Sequence, residues 1–269
     1  MRIRKRALVA KFFADRGTHL AAMIAYFALL SFVPLTFLAL AALGLTHRAD
    51  ESSFLVRELQ HALPGTEIGR IVDLVRAVQD NATTLGIVGA AALLWTSLSL
   101  FSVLESALNI VYGRPNRGFL HGKAIALLFM VASLVTLFLA LLAGSLGAAA
   151  LRRYAPGFAS SGAVAYTVSI AVSTLGVFAF LLSVYTLLVN EHVTIRDALP
   201  GAALATVVLE ASFQVLPIYE RYANVNPALR AFGGPAILLV WLYVMANFVV
   251  FGAEVNWWYS RRRHSAAPA

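Results

Sequence analysis

Five long stretches of this chain contain no Asp, Glu, Lys or Arg: Gly17–His47, Asn81–Leu104, Ala124–Leu151, Tyr154–Asn190 and Ala231–Ala253. A sixth, Ala198–Tyr219, carries a single charge, Glu210. A helix rises ~1.5 Å per residue, so ~20 apolar residues cross a hydrocarbon core of ~30 Å. All six stretches reach that length. The sequence therefore predicts an all-α, polytopic membrane helix bundle. Composition agrees: 13% of residues are charged and 60% are hydrophobic, whereas ordinary soluble domains are ~25% charged.

The predicted spans are Leu20–Leu45, Thr84–Tyr112, Lys123–Ala150, Ala163–Val189, Ala198–Tyr219 and Pro235–Tyr259. The organisation follows: residues 1–18 as an interfacial arm, residues 19–260 as a six-helix transmembrane domain, and residues 261–269 as a basic tail. The first apolar run is longer than a signal-peptide core of ~7–15 residues and reads as a retained span. With six spans both termini share a side. That side holds Arg2, Arg4, Lys5, Arg6, Lys11, Arg16, Arg114, Arg117, Lys123, Arg196 and Arg261–Arg263. They outnumber the cations of the other loops, so the termini are expected in the cytoplasm. Arg152 and Arg153 run mildly against that bias. The net charge of +8 fits contact with anionic lipid better than with nucleic acid.

Three smaller patterns refine this plan. Leu8, Val9, Phe12 and Phe13 recur at helical spacing while Arg4, Lys11 and Asp15 lie away from them. The arm is thus expected to lie as an amphipathic helix in the cytoplasmic interface. The outer loop, residues 46–83, reads as two short amphipathic helices divided by Pro64-Gly65. Thr194-Ile195-Arg196-Asp197 has capping-box spacing, with Pro200 placed in the following first turn and Gly233-Gly234-Pro235 as a turn before the last helix. Pro34 falls inside the first span and is the candidate kink or gate. Ala140, Gly144 and Ala148 form a small-residue face for helix contact.

Ionisable groups within spans are costly, ~2.5 kcal/mol upward, and usually face the bundle interior or water. Here they are Glu105, Glu210 and Glu254. Glu105 and Asn109 share a helix face, as do Glu210 and Gln214, and Asn247 and Glu254. These six residues are the candidate substrate or proton path. Depth in the spans predicts a polar vestibule at the cytoplasmic side holding Glu105 and Glu254, rimmed by Arg114, Arg117 and Lys123, with Glu210 deeper. Packing roles are the alternative: Glu105 bonding across helices, and Glu254 reaching water or Arg261.

Catalytic signals are missing. Cysteine is absent, and the six histidines sit at span ends or in loops. No H-E-x-x-H, G-x-S-x-G or P-loop occurs. Neither a catalytic residue, a metal site nor a cofactor is expected, and the chain reads as a non-enzyme.

Several segments resemble the YihY/BrkB family of bacterial inner-membrane proteins. These are Ile24-Ala25-Tyr26-Phe27-Ala28-Leu29-Leu30-Ser31-Phe32-Val33-Pro34-Leu35, Leu94-Trp95-Thr96-Ser97 and Ala107-Leu108-Asn109-Ile110-Val111-Tyr112. They continue with Arg196-Asp197-Ala198-Leu199-Pro200-Gly201-Ala202, Tyr219, Tyr222, Trp241-Leu242-Tyr243 and Phe251-Gly252-Ala253-Glu254-Val255-Asn256. The resemblance covers nearly the whole chain. It implies six spans with cytoplasmic termini and an envelope role, either serum resistance or movement of lipid or lipopolysaccharide precursors. The family's former label, ribonuclease BN, is regarded as mistaken, and the resemblance implies no catalytic residues. The expected function is that of a transporter or flippase-like factor for an anionic lipid or other amphiphile. A structural or regulatory membrane component is the alternative, and a membrane nuclease the weakest reading. Expected partners are membrane lipids, with a second copy of the chain or an envelope protein left open.

Overall fold

Lipid offers no hydrogen bonds, so a chain this apolar must satisfy its backbone within its own helices. The computed structural model describes residues 6–46, 82–129, 131–132, 162–225 and 227–265, and these are helical apart from turns at 15–16, 113–118 and 189–194, with no strand among them. The helices are α1 (Arg6–Ala14), α2 (Gly17–Thr46), α3 (Ala82–Tyr112), α4 (Phe119–Phe129), α5 (Gly162–Ser183), α6 (Ile195–Val225) and α7 (Pro227–Ser265). Five residues of π-helix, Val184–Leu188, extend α5. The two outer-loop helices, the Ala140–Ala148 face and most of the third span lie outside the described residues.

Among the described residues, Ile87–Tyr112 and Pro235–His264 are long and apolar enough to cross a membrane. Gly17–Phe32, Phe119–Phe129 and Ser173–Leu188 are shorter apolar helical runs. Only 28% and 33% of the two long spans' most apolar windows are buried, where the core helix of a soluble protein would be mostly enclosed. The uncovered surface is apolar: Trp95, Phe119, Leu120, Leu128, Leu175 and Val207 are all more than half exposed. Inside sit Glu105, Asn109, Asp197, Thr206, Glu254 and Asn256. Apolar outside with polar groups within is the arrangement lipid demands.

Helix ends follow local chemistry. Gly113 adopts φ 66°, and its N–H donates to Ile110 O while Arg114 N–H donates to Asn109 O, a Schellman motif that ends α3. Thr194 caps α6: its hydroxyl donates to Asp197 Oδ2 at 2.6 Å, and Asp197 N–H donates back to Thr194 Oγ1 at 3.3 Å. The helix starts at Ile195, so Pro200 falls in the second turn rather than the first. Gly201 N–H donates to Asn256 Oδ1 at 2.7 Å. The Gly233-Gly234-Pro235 segment is likewise helical, because α7 begins at Pro227. α2 runs on through Pro34, which is buried; the ring removes one backbone donor without ending the helix.

α2 packs along α3 and α7, α7 along α6, and α6 along α5, while α1 crosses one end of the bundle against α7 and α2. α6 and α7 approach closely at two glycines. A Cβ on Gly201 would strike Gly252 O and Asn256 Oδ1, so both helices need glycine where they cross. Ala198, Ala202 and Ala205 on α6 and Ala246 and Ala253 on α7 are all buried in the same core.

Candidate functional site

Each of the three carboxylates that the apolar stretches contain or adjoin has its own surroundings. Glu254 on α7 is fully buried. Its Oε2 accepts from Lys11 Nζ at 2.9 Å. Lys11 reaches inward from α1, donating also to Val111 O at 2.7 Å and to Asp15. Its ammonium lies 4.3 Å from the centre of the Trp257 ring. The apolar residues of α1 divide: Phe12 is buried, while Val9 and Phe13 are exposed. The arm thus packs onto the bundle end with its cation turned in, a placement that helical periodicity alone did not reveal. Glu254 meets Lys11 rather than Arg261, which stacks over Trp257 at 5.5 Å.

Glu105 on α3 is 5% exposed, and its Oε1 accepts from Arg117 Nη1 at 3.2 Å. The same guanidinium donates to Leu187 O, Leu188 O and Val189 O at 3.2, 2.6 and 2.7 Å. Those are the carbonyls that end the π turn, left without helical partners. A planar fork with five donors suits such a cluster, and a cation at a helix C-terminus is favoured. Gly122 lets α4 approach, since a Cβ there would lie 3.2 Å from Glu105 Oε2. Asn109 is fully buried; its Oδ1 accepts from Asn190 N–H at 2.7 Å and its Nδ2 donates to Asn116 Oδ1 at 3.2 Å. It ties the end of α3 to both neighbouring loops.

The expected basic rim is mostly engaged. Arg114 pairs with Glu191 at 2.6 Å; the hydrogen bond from Arg114 holds the Glu191 carboxyl below the usual carboxylate range and raises Arg114 in turn. Lys123 donates to Ser102 Oγ at 3.0 Å. Asp197, buried beside the α6 cap, accepts from Arg263 at 3.3 Å. Glu105 and Glu254 are thereby held in separate ion pairs, and both are buried.

Glu210 differs. It is half-buried on α6, and among the described residues its one polar partner is the Ser173 hydroxyl of α5, donating to Oε1 at 2.8 Å. Beside this bridge lies a groove of about 470 Å³ between α5 and α6. Its walls are Ala171, Thr174, Leu175 and Phe178 from α5 and Ala203, Thr206 and Val207 from α6. Thr206 sits one turn before Glu210, buried, with a hydroxyl that finds no hydrogen-bond partner. Gln214 lies one turn beyond Glu210 on α6. Asn247 on α7 donates to Tyr243 O of its own helix at 2.7 Å.

Sequence reasoning passed over Lys11, Ser173, Thr206 and Tyr185, whose buried hydroxyl donates to Val249 O at 2.7 Å. A serine or threonine in an apolar run carries no distinguishing signal. A lysine amid Leu8–Phe13 does, but the spacing placed Lys11 only on the polar side of an interfacial helix and named no partner for it. Among the described residues no three His, Asp or Glu side chains gather as a metal site.

A family model described as virulence factor BrkB matches residues 8–269. The chain is 23% identical over 262 residues to the ribonuclease-like protein YfkH of Bacillus subtilis, covering 93% of each. It is 30% identical over 252 residues to a UPF0761 membrane protein of Laribacter hongkongensis, covering 90% of this chain and 57% of that protein. Against a UPF0761 membrane protein of Chromohalobacter salexigens it is 27% identical over 268 residues, covering 97% and 64%. The chain thus spans less than two thirds of the length of these last two relatives. No solved structure matches it.

Proposed function

The chain belongs to the BrkB virulence factor family of membrane proteins, and on that premise we propose that it eases the passage of an amphiphile across the bacterial inner membrane. Six spans with cytoplasmic termini frame the reading. The observation that carries it is Glu210: a carboxylate within a span, half-buried, with a hydroxyl as its partner, beside a groove open between two helices. An ionisable group is retained in hydrocarbon at a cost of ~2.5 kcal/mol or more, and the groove gives it a use. Headgroups pass along the polar seam while acyl tails stay in lipid. Anionic lipid gathers at the α1 end, where Arg261 and Arg262 stack over Trp257 and Trp258 at 5.5 and 3.8 Å. No nucleotide-binding motif occurs in the sequence, so a gradient, a partner or the lipid's own imbalance supplies the drive.

The test is fluorescent-lipid scrambling in proteoliposomes, at matched insertion. Wild type is expected to scramble and Glu210→Gln to lose ~10-fold or more of the rate, equivalent to ~1.4 kcal/mol of barrier. A normal rate in the variant takes the carboxylate off the path. One observation favours a second reading, a structural membrane component: Glu105 and Glu254 are both consumed in ion pairs that tie helices together. Under that reading no lipid moves with either protein, and the carboxylate variants lose stability alone.

A further inference from the structure

We infer that the α5–α6 groove is a binding site for a membrane lipid with a primary-ammonium headgroup, of the phosphatidylethanolamine class. The inference rests on the amphiphile reading for the groove's use, though not on any movement of lipid. The groove has an apolar body: Leu175, Phe178 and Val207 line it, and Leu175 and Val207 are 68% and 67% exposed. Its volume of about 470 Å³ lies within the range of ligand clefts, ~300–1,000 Å³.

A set of acceptors adjoins the two walls: Ser173 precedes Thr174 on α5, and Glu210 lies one turn beyond Thr206 and Val207 on α6. Glu210 offers Oε2, and Oε1 is held by the Ser173 hydroxyl at 2.8 Å. The Ser173 oxygen keeps lone pairs free once its proton is donated. The Thr206 hydroxyl, 2% exposed and one turn away on the same helix, lacks a hydrogen-bond partner. A buried hydroxyl left unpaired is unfavourable, so it points to something that fills the groove.

Charge selects among occupants. Tyr154–Asn190 of α5 and its approach contain no Lys, Arg, His, Asp or Glu, and Ala198–Tyr219 of α6 contains Glu210 alone. Nothing on either wall neutralises an anionic headgroup, which would meet a carboxylate in low dielectric. An ammonium meets its counter-charge there. A primary ammonium carries three N–H donors for the carboxylate and hydroxyls, whereas a quaternary choline carries none.

The test is photocrosslinking with the full chain in nanodiscs. Lipids bearing a diazirine on the acyl chain are compared at equal dose with ethanolamine, choline and glycerol headgroups. The ethanolamine lipid is expected to label residues 171–178 and 203–207 ~10-fold above the other two, a preference of ~1.4 kcal/mol. Glu210→Gln is expected to abolish the preference and Glu210→Asp to keep it, with both folded by thermal unfolding. Leu175→Trp fills the groove and is expected to remove the labelling. If Glu210→Gln does not insert, the wild-type headgroup comparison and Thr206→Val decide, the latter expected to weaken the preference. Equal labelling by the three headgroups, preference for the anionic glycerol lipid, or a preference that survives Glu210→Gln overturns the inference. So does displacement by a free long-chain amine without an ethanolamine-lipid preference, which would assign the groove to soluble lipophilic amines. A headgroup preference without scrambling keeps this site and removes transport. Scrambling without a preference does the reverse.

Discussion

At the scale of single residues, the pair most open to test is Lys11 and Glu254, separated by 243 positions and joined at 2.9 Å. Removing one member of a buried pair strands the other, at ~3–5 kcal/mol. Lys11→Met is expected to lower stability by that order in detergent unfolding, and Glu254→Gln added to it should restore much of the loss. Two independent, additive losses would mean that the pair is not coupled. The sequence singled out Glu254 as an ionisable group inside a span, because charge in an apolar run is conspicuous. It did not disclose the partner. Helical spacing in a nine-residue arm shows which side chains share a face, but not which face meets the bundle. Glu210 was equally conspicuous, while Ser173 and Thr206 were not. Hydroxyls in membrane helices commonly bond their own backbone, as Ser183 does to Ala179 O, so position alone gives them no meaning.

At the scale of elements, the loops between helices are held by charge. Arg114, after α3, grips Glu191, after the π turn, at 2.6 Å. Glu191 has its carboxyl pKa lowered from 4.5 by that bond. A depressed carboxylate contributes stability that is fully present above its unfolded value and is lost as pH falls through its folded value. The unfolding temperature is therefore expected to drop as pH goes below about 4.5, by a small amount because the pair is solvent-exposed. Arg114→Gln should flatten that part of the curve. An unchanged pH profile in the variant would remove the pair from the account. Most helix bodies were legible from charge-free length alone: the first and second spans match α2 and α3 closely. The ends were harder. Pro200 and Pro235 read as start signals, yet both fall inside helices. At Gly201 the N–H finds the Asn256 side chain of α7, a tertiary partner that no local rule anticipates. The glycines themselves stood in two family-like stretches, and the fold brings those stretches face to face.

At the scale of the whole molecule, an apolar exterior around buried polar pairs was implied by composition, whereas the pairings within it depend on which helices become neighbours. Orientation is testable because the chain contains no cysteine, so single replacements report cleanly. A membrane-impermeant maleimide applied to intact spheroplasts is expected to label Ala82→Cys and to reach Ser265→Cys only after lysis. The opposite result would invert the topology. The lysine clasp has a consequence for biosynthesis. Lys11 precedes Glu254 by 243 positions, so during synthesis Asp15 is its counter-ion until α7 is inserted. A nascent chain truncated before α7 holds that ammonium against Asp15 alone, without the buried carboxylate that completes the pair. Closure of α1 on α7 makes the insertion of α7 the step that seals this clasp.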